Sequence, residues 1–187
     1  MSSSPRITAF GASNSQSSIN KQLVTHAAHV FKSEIMTGAE IEILDLNNFE
    51  MPIYSADREA ANGIPEAAQA FFKALGQADA LLISYAEHNG VYTAAFKNIF
   101  DWCSRIDKKV FQDKPMVIMS AAPGPGGGAS VLGLAKGSAG FFGADLRGSL
   151  SVGRFSETFD TDKGELIDPD LAAQLRQNLR LLLNESA

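Results

Sequence analysis

Cysteine is almost absent: Cys103 is the only one in 187 residues. That excludes an intramolecular disulfide and any cysteine-based metal cluster, and it agrees with a reducing, cytoplasmic setting. No window approaches the roughly 18 apolar residues of a membrane span. The opening Met1-Ser2-Ser3-Ser4-Pro5-Arg6 carries no basic segment leading into an apolar one, so neither secretion nor membrane insertion is expected. Runs of like charge are missing as well. Lys and Arg number 16 against 21 Asp and Glu, a net charge of -5, and their scatter leaves no footprint for nucleic acid or an anionic membrane. An anionic ligand must therefore be gripped locally. There is no Gly-Lys-Ser/Thr at P-loop spacing and no G-x-S-x-G, which removes the usual lysine of nucleoside triphosphate hydrolysis and the nucleophile turn of a serine hydrolase. No metal is expected.

What is present is 45% hydrophobic, enough for one domain over 1–187 that buries roughly 70% of its unfolded surface. Short apolar runs at Arg6 to Phe10 and Glu40 to Leu46 read as strands on either side of a helix from Ser18 to Met36. Pro65 opens a second helix striped by Ala68, Phe71, Phe72 and Leu75. Ala80 to Ser84 is a third strand, Thr93 to Ile106 a third helix, and Met116 to Ala121 a fourth strand, apolar throughout as a central parallel strand must be. A helix from Gly128 to Phe142, a strand from Asp145 to Val152 and a helix from Asp168 to Asn184 complete the chain. Five alternating strand-helix units argue for an α/β sandwich of three layers.

Three connections carry candidate chemistry, each following a strand. Gly11 to Asn20 is crowded with hydroxyl groups at the start of a helix. Unpaired N–H groups and a partial positive charge there suit a phosphate, helped by Ser13, Ser15, Ser18 and Asn20 and needing no lysine. The same residues also read as an ordinary N-cap turn. Glu87-His88-Asn89-Gly90 follows the third strand, where a polar turn can read the edge of a flat heterocycle. His88 is either a solvated surface group or an acid-base group; Glu87 reads as a positioning residue. Ala122-Pro123-Gly124-Pro125-Gly126-Gly127-Gly128 follows the fourth strand, and its glycines allow close approach of a ligand. Gly124 to Ala129 also fits G-x-G-x-x-A, with Asp145 about twenty residues on, which leaves a dinucleotide fingerprint as an alternative. Beyond the second loop, Tyr92, Phe96, Ile99, Phe100 and Trp102 are more bulky groups than one face accommodates, and the surplus suggests a subunit contact.

Together these segments resemble the NAD(P)H-dependent FMN reductase family. Tyr85 to Trp102 is similar to its Pro-Glu-Tyr-Asn loop and following Lys-Asn-x-x-Asp-Trp helix, with Ala86 for Pro, His88 for Tyr, Val91 for Ser and Thr93 for a frequent Pro. Gly11 to Asn20 is similar to its Gly-Ser-x-Arg-x-x-Ser-x-Asn phosphate loop, without the arginine. The third loop resembles its Ser-Pro-Gly-x-x-Gly-Gly segment, and Met51 to Asp57 its Leu-Pro-x-Tyr-x-x-Asp segment. The resemblance implies a flavodoxin-like three-layer sandwich whose five parallel strands run in the order 2-1-3-4-5. It implies FMN held by Ser13, Ser15, Ser18, Ile19 and Asn20 at the phosphate, by Glu87, His88, Asn89 and Gly90 and by Ala122, Pro123, Gly124 and Gly127 along the ring, with Tyr54 closing one side. NADPH or NADH would be the electron donor, and a flavin, quinone, azo compound or similar small molecule the acceptor. A homodimer or homotetramer is implied. The flavin carries the chemistry, so no catalytic side chain is required, and His88 is the one candidate. A flavin-binding carrier or binding protein without NAD(P)H turnover is the alternative.

Overall fold

The computed structural model describes residues 4–183. In chain order the elements are β1 (Arg6–Ala12), α1 (Ile19–Val30), β2 (Glu40–Leu44), α2 (Ala56–Asn62), α3 (Glu66–Gly76), β3 (Ala80–Tyr85), β4 (Glu87–His88), β5 (Val91–Tyr92) and α4 (Ala94–Ile106). There follow β6 (Lys114–Ala121), α5 (Ala129–Ser138), β7 (Ala144–Val152), α6 (Phe155–Thr158), β8 (Phe159–Asp160), β9 (Glu165–Leu166) and α7 (Pro169–Arg180). The expected helix end at Asn184 lies outside the described residues.

Five strands form one sheet in the order β2-β1-β3-β6-β7, parallel at every pairing. This is the flavodoxin-like 2-1-3-4-5 order. The chain steps outward from β1 to β2, then crosses back to β3 and proceeds to β7. That reversal leaves a crevice above the carboxyl ends of β1 and β3, where open α/β sheets bind ligands.

Both faces of the sheet are covered, which is why its central strands are apolar without alternation. Ile7, Ala9, Leu82, Val117 and Met119 belong to the layer shared with α1 and α7. Their neighbours Phe10, Leu81, Ile83, Met116 and Ile118 belong to the layer shared with α3, α4 and α5. All six residues of β3 are buried. Asp168 caps α7, its carboxylate accepting from the N–H groups of Asp170 and Leu171, with Pro169 in the first turn where a missing N–H costs nothing.

The structure differs from the sequence expectation in several places. The helix expected to reach Met36 is regular only to Val30, and a wider turn over 31–35 ends where the Met36 N–H donates to the Phe31 carbonyl at 2.8 Å. The helix expected to run to Phe142 stops at Ser138, and a separate turn over 140–142 closes at Gly143, φ 72°. Helix α2 has no counterpart in the sequence expectation, because it buries no residue and so has no apolar stripe. Glu87 to Tyr92 is a hairpin rather than an open loop, with Asn89 and Gly90 at φ 54° and 83°, the residue pair that a tight two-residue turn demands. Phe155 to Leu166 adds a short helix and a second small hairpin. The surplus of aromatic residues on α4 is largely internal: Phe96, Ile99 and Trp102 are buried, and Phe100 meets Phe96, Phe111 and Phe142 at centroid distances of 5.7, 5.8 and 4.7 Å. The helix therefore supplies much less surplus for a subunit contact than its composition suggests.

Leu82 lies in the middle of the central strand, fully buried. Leu82→Ala is expected to lower unfolding stability by about 3 kcal/mol, the transfer and cavity cost of such a truncation, read from the midpoint of urea unfolding.

Candidate functional site

Three loops leave the carboxyl edge of the sheet, and three side chains fasten them to one another. Asn20, in the first turn of α1, is 2% exposed. Its Nδ2 donates to the Ala121 carbonyl at 3.0 Å, while its Oδ1 accepts from the Ala121 N–H at 2.8 Å and the Ser84 hydroxyl at 2.7 Å. One amide thus ties the loop after β1 to the ends of β3 and β6. Thr93 caps α4 by accepting from the Phe96 N–H at 3.2 Å and donates to the Ala12 carbonyl at 2.9 Å. This joins the second loop to the end of β1. Glu87 accepts from the Val131 N–H at 2.9 Å, so a carboxylate sits on the first turn of α5, where the helix dipole favours it, and joins the second loop to the third.

The first loop is thereby left with unused donors. Ser13 accepts from the Ser15 N–H at 3.1 Å, and Ser18 caps α1 by accepting from the Lys21 N–H at 3.2 Å. Among the described residues no partner takes the N–H groups of Gln16, Ser17, Ile19 or Asn20. They lie at the start of α1, the positive end of a helix, where phosphates are commonly bound. Gly11 is required beneath them, since a Cβ there would stand 2.7 Å from the Lys21 nitrogen. Lys21 itself turns to Asp45 at 2.5 Å and, with the Asn47 N–H, holds that carboxyl down to about 2.

The third loop is pinned by hydroxyl groups. Ser120 and Ser151 both donate to the Gly127 carbonyl, at 2.7 and 3.1 Å. Gly127 has φ 59°, and a Cβ on it would lie 2.8 Å from the Gly153 nitrogen, so no other residue fits. Ala122 is held by Val152 and Phe155, while Pro123, Gly124 and Gly126 stand exposed at the edge.

A cleft of about 340 Å³ opens between the first loop, the second loop and the connection after β2. Asn14, His88, Thr93, Asn98, Met51 and Ile53 are among its walls. His88 is exposed and follows Glu87, whose side chain goes to α5, so alternation along the short strand sends the imidazole elsewhere, into this cleft. Tyr54 does not line it. Its ring meets Trp102 edge-on at 5.0 Å and its hydroxyl donates to Glu59 at 3.2 Å; Met51 and Ile53 form the wall that sequence reading gave to Tyr54. Asn98 accepts from the Tyr54 N–H at 2.9 Å and donates to the Met51 carbonyl at 3.1 Å, and Trp102 donates to the Pro52 carbonyl at 2.7 Å. Asn98 and Trp102 therefore shape the wall from α4.

Of the residues picked from sequence, Ser13, Ser15, Ser18 and Ile19 gather at the first loop and Glu87 to Gly90 at the second. Ala122, Pro123, Gly124 and Gly127 lie at the third, beyond the cleft. Asn20 is turned inward and serves as the fastening. Thr93, Ser84, Ser120 and Ser151 escaped notice. Thr93 carried a legible signal, a threonine directly before a helical run; the others are isolated hydroxyls in strands.

A doubly wound sheet with a donor-lined loop at its switch point defines a flavodoxin-like nucleotide-binding protein. The description of the NADPH-dependent FMN reductase family matches residues 5–156, and the chain belongs to that family. It is an NAD(P)H-dependent flavin oxidoreductase with FMN as its cofactor. A probable NADPH:quinone oxidoreductase of Oryza sativa subsp. japonica is 34% identical over 185 residues, covering 95% of this chain and 88% of that one. Among solved structures, the flavoenzyme NAD(P)H:(acceptor) oxidoreductase FerB of Paracoccus denitrificans superposes with a TM-score of 0.76 at 20% identity, over 96% of this chain and 95% of that one. An FMN-dependent NADH-azoreductase of Bacillus anthracis in complex with FMN superposes with a TM-score of 0.64 at 13% identity, over 96% and 98%. Likeness at these identities establishes the shared fold.

Asn20→Ala strands three buried polar groups and is expected to cost about 3–5 kcal/mol of stability and about tenfold in FMN affinity, read from urea unfolding and flavin titration. The Asp45 carboxyl titrates in the folded protein at about 2, below its ordinary 3.8. Its pairing with Lys21 thus stabilises the fold above pH 4 and is lost as pH falls toward 2. Asp45→Asn is expected to flatten that part of the acid-unfolding curve and leave stability unchanged in its slope above pH 5.

Proposed function

We propose that FMN lies across the three loops and that a quinone is its electron acceptor. The observation that carries the site is the set of unpartnered N–H groups at Gln16, Ser17, Ile19 and Asn20, in the loop that follows β1 at the crevice the strand order creates. Neutral amides and the hydroxyls of Ser13, Ser15 and Ser18 suit a phosphate monoester in a chain whose nearest lysine is committed to Asp45. The Asn89-Gly90 turn would hold the ring's edge, and Gly124, where a Cβ meets nothing within 4 Å, would leave room beside it. When bound, FMN supplies two-electron transfer from the pyridine nucleotide to the acceptor.

The protein's own contribution is orientation. Glu87 keeps the second and third loops at a set separation, Thr93 does the same for the first and second, and Asn20 holds all three to the sheet. The acceptor enters the cleft beside His88, whose imidazole is placed to hydrogen-bond a carbonyl oxygen there. The first loop has no arginine and Lys21 is paired, so the loop offers no cation to a 2′-phosphate; NADPH and NADH should both serve. Relatives named as NADPH:quinone oxidoreductases support the choice of acceptor.

The remaining expectations belong to the same reading. Residues 1–187 form one FMN-binding domain, supported by the single five-stranded sheet on which the helices pack. The chain works in the cytoplasm, supported by a buried, unpaired Cys103 whose thiol burial pushes up to about 12. It assembles as a homodimer or homotetramer, supported by Ile53 at the cleft and Val91 beside it, apolar yet 74% and 48% exposed. No helix among the described residues is long and apolar enough to cross a membrane.

The test is a visible spectrum of protein incubated with FMN, desalted, and mixed anaerobically with NADPH or NADH. Retained flavin that bleaches with either nucleotide and recovers on adding a quinone is the expected result. Flavin that is retained but stays oxidised would make the protein a carrier or binding protein, and no retention would remove the site.

A further inference from the structure

A second cavity, of about 250 Å³, lies between α4 and α5 and shares no residue with the cleft. Its wall is a nest of rings, Tyr85, Tyr92, Phe96, Phe100, Phe111 and Phe142, tilted or edge-on to one another at 4.7 to 5.8 Å. The polar groups around it are almost all engaged. Ser104 donates to the Asp101 carbonyl at 2.7 Å and Ser138 to the Leu134 carbonyl at 3.1 Å. Lys97 and Asp101 form an ion pair with each other at 2.6 Å. Tyr92 has Ser138 beside it.

Tyr85 is the exception. It ends β3, is 1% exposed, and its hydroxyl makes no hydrogen bond to any described residue. The hydroxyl oxygen is not itself sealed from solvent: what little of Tyr85 is exposed opens on the cavity it lines, where a partner can reach it. Burial also drives its pKa well above the ordinary value, so the group is a neutral donor.

We propose that this cavity is a second ligand site, for a neutral one- or two-ring arene bearing a carbonyl oxygen that accepts from the Tyr85 hydroxyl. The rings of the wall offer edges and faces to an arene, Tyr85 provides the single directional contact, and Leu134, 44% exposed, stands at the mouth. The cavity shares no lining residue with the cleft and its occupation needs no electron donor, so it stands or falls apart from the choice of quinone as acceptor.

The experiment uses the FMN-loaded protein and two redox-inert probes, acetophenone and ethylbenzene, followed by calorimetry and by the flavin's visible band. Acetophenone is expected to bind saturably without moving that band. Tyr85→Phe should weaken acetophenone by about tenfold, the worth of one hydrogen bond, and leave ethylbenzene unchanged. Leu134→Trp, at a position 44% exposed, should weaken both. Acetophenone affinity unchanged in Tyr85→Phe, a shifted flavin band, or no saturable binding, as when a second copy of the chain covers the mouth, would each overturn the proposal.

Discussion

The carboxamide of Asn20 holds together what the sheet alone would leave apart. Parallel strands pair along their length but end in loops with no obligation to one another, and a ligand crevice needs those loops at set separations. Asn20 reaches from α1 past Ser84 on β3 to the backbone of Ala121 on β6, so one buried side chain fastens the helix that follows the donor-lined loop to two other strands. Buried amides of this kind are stable only when their donors and acceptors are matched, and Asn20 has both ends matched. Shortening or misdirecting it would unfasten the donor loop and strand three polar groups at once.

From that fastening follows a division of labour. Side chains with hydrogen-bonding capacity, Asn20, Thr93, Glu87, Ser120 and Asn98, are turned toward backbone groups, and backbone N–H groups of the first loop are left without partners. Such an arrangement suits a cofactor that brings its own reactivity, because the protein must present it rather than react with it. It also accounts for the low charge of the site in an acidic chain: Lys21 is drawn off to Asp45, and the helix end supplies the positive potential instead.

The fold was largely legible, and for a physical reason. Strands covered on both faces are continuous apolar runs, so Ala80 to Ser84 and Met116 to Ala121 stand out from their neighbours, and helices such as α7 are marked by spacing and by Asp168-Pro169. What escaped has equally physical causes. Helix α2 buries no residue and therefore leaves no periodic trace. The Glu87 to Tyr92 hairpin was signalled by Asn89-Gly90, but its strands are two residues long, too short for alternation to show. Tyr54 carried a motif position yet packs on Trp102, because α4 supplies Asn98 and Trp102 to hold that connection by its backbone. Fastenings such as Asn20 to Ala121 join residues 101 positions apart, a separation no local pattern can reveal. Asn20 was picked from sequence as a ligand donor; only the packed sheet shows that its amide is turned inward and that its own N–H is what remains for a phosphate.

The central claim is that backbone amides of the first loop grip a phosphate. Comparing FMN with riboflavin, which lacks the phosphate and keeps the ring, isolates that grip in a single pair of calorimetric titrations on flavin-free protein. Two charge-assisted hydrogen bonds correspond to about 3 kcal/mol, so riboflavin is expected to bind at least about 100-fold more weakly than FMN. Equal affinity for the two flavins would contradict the account.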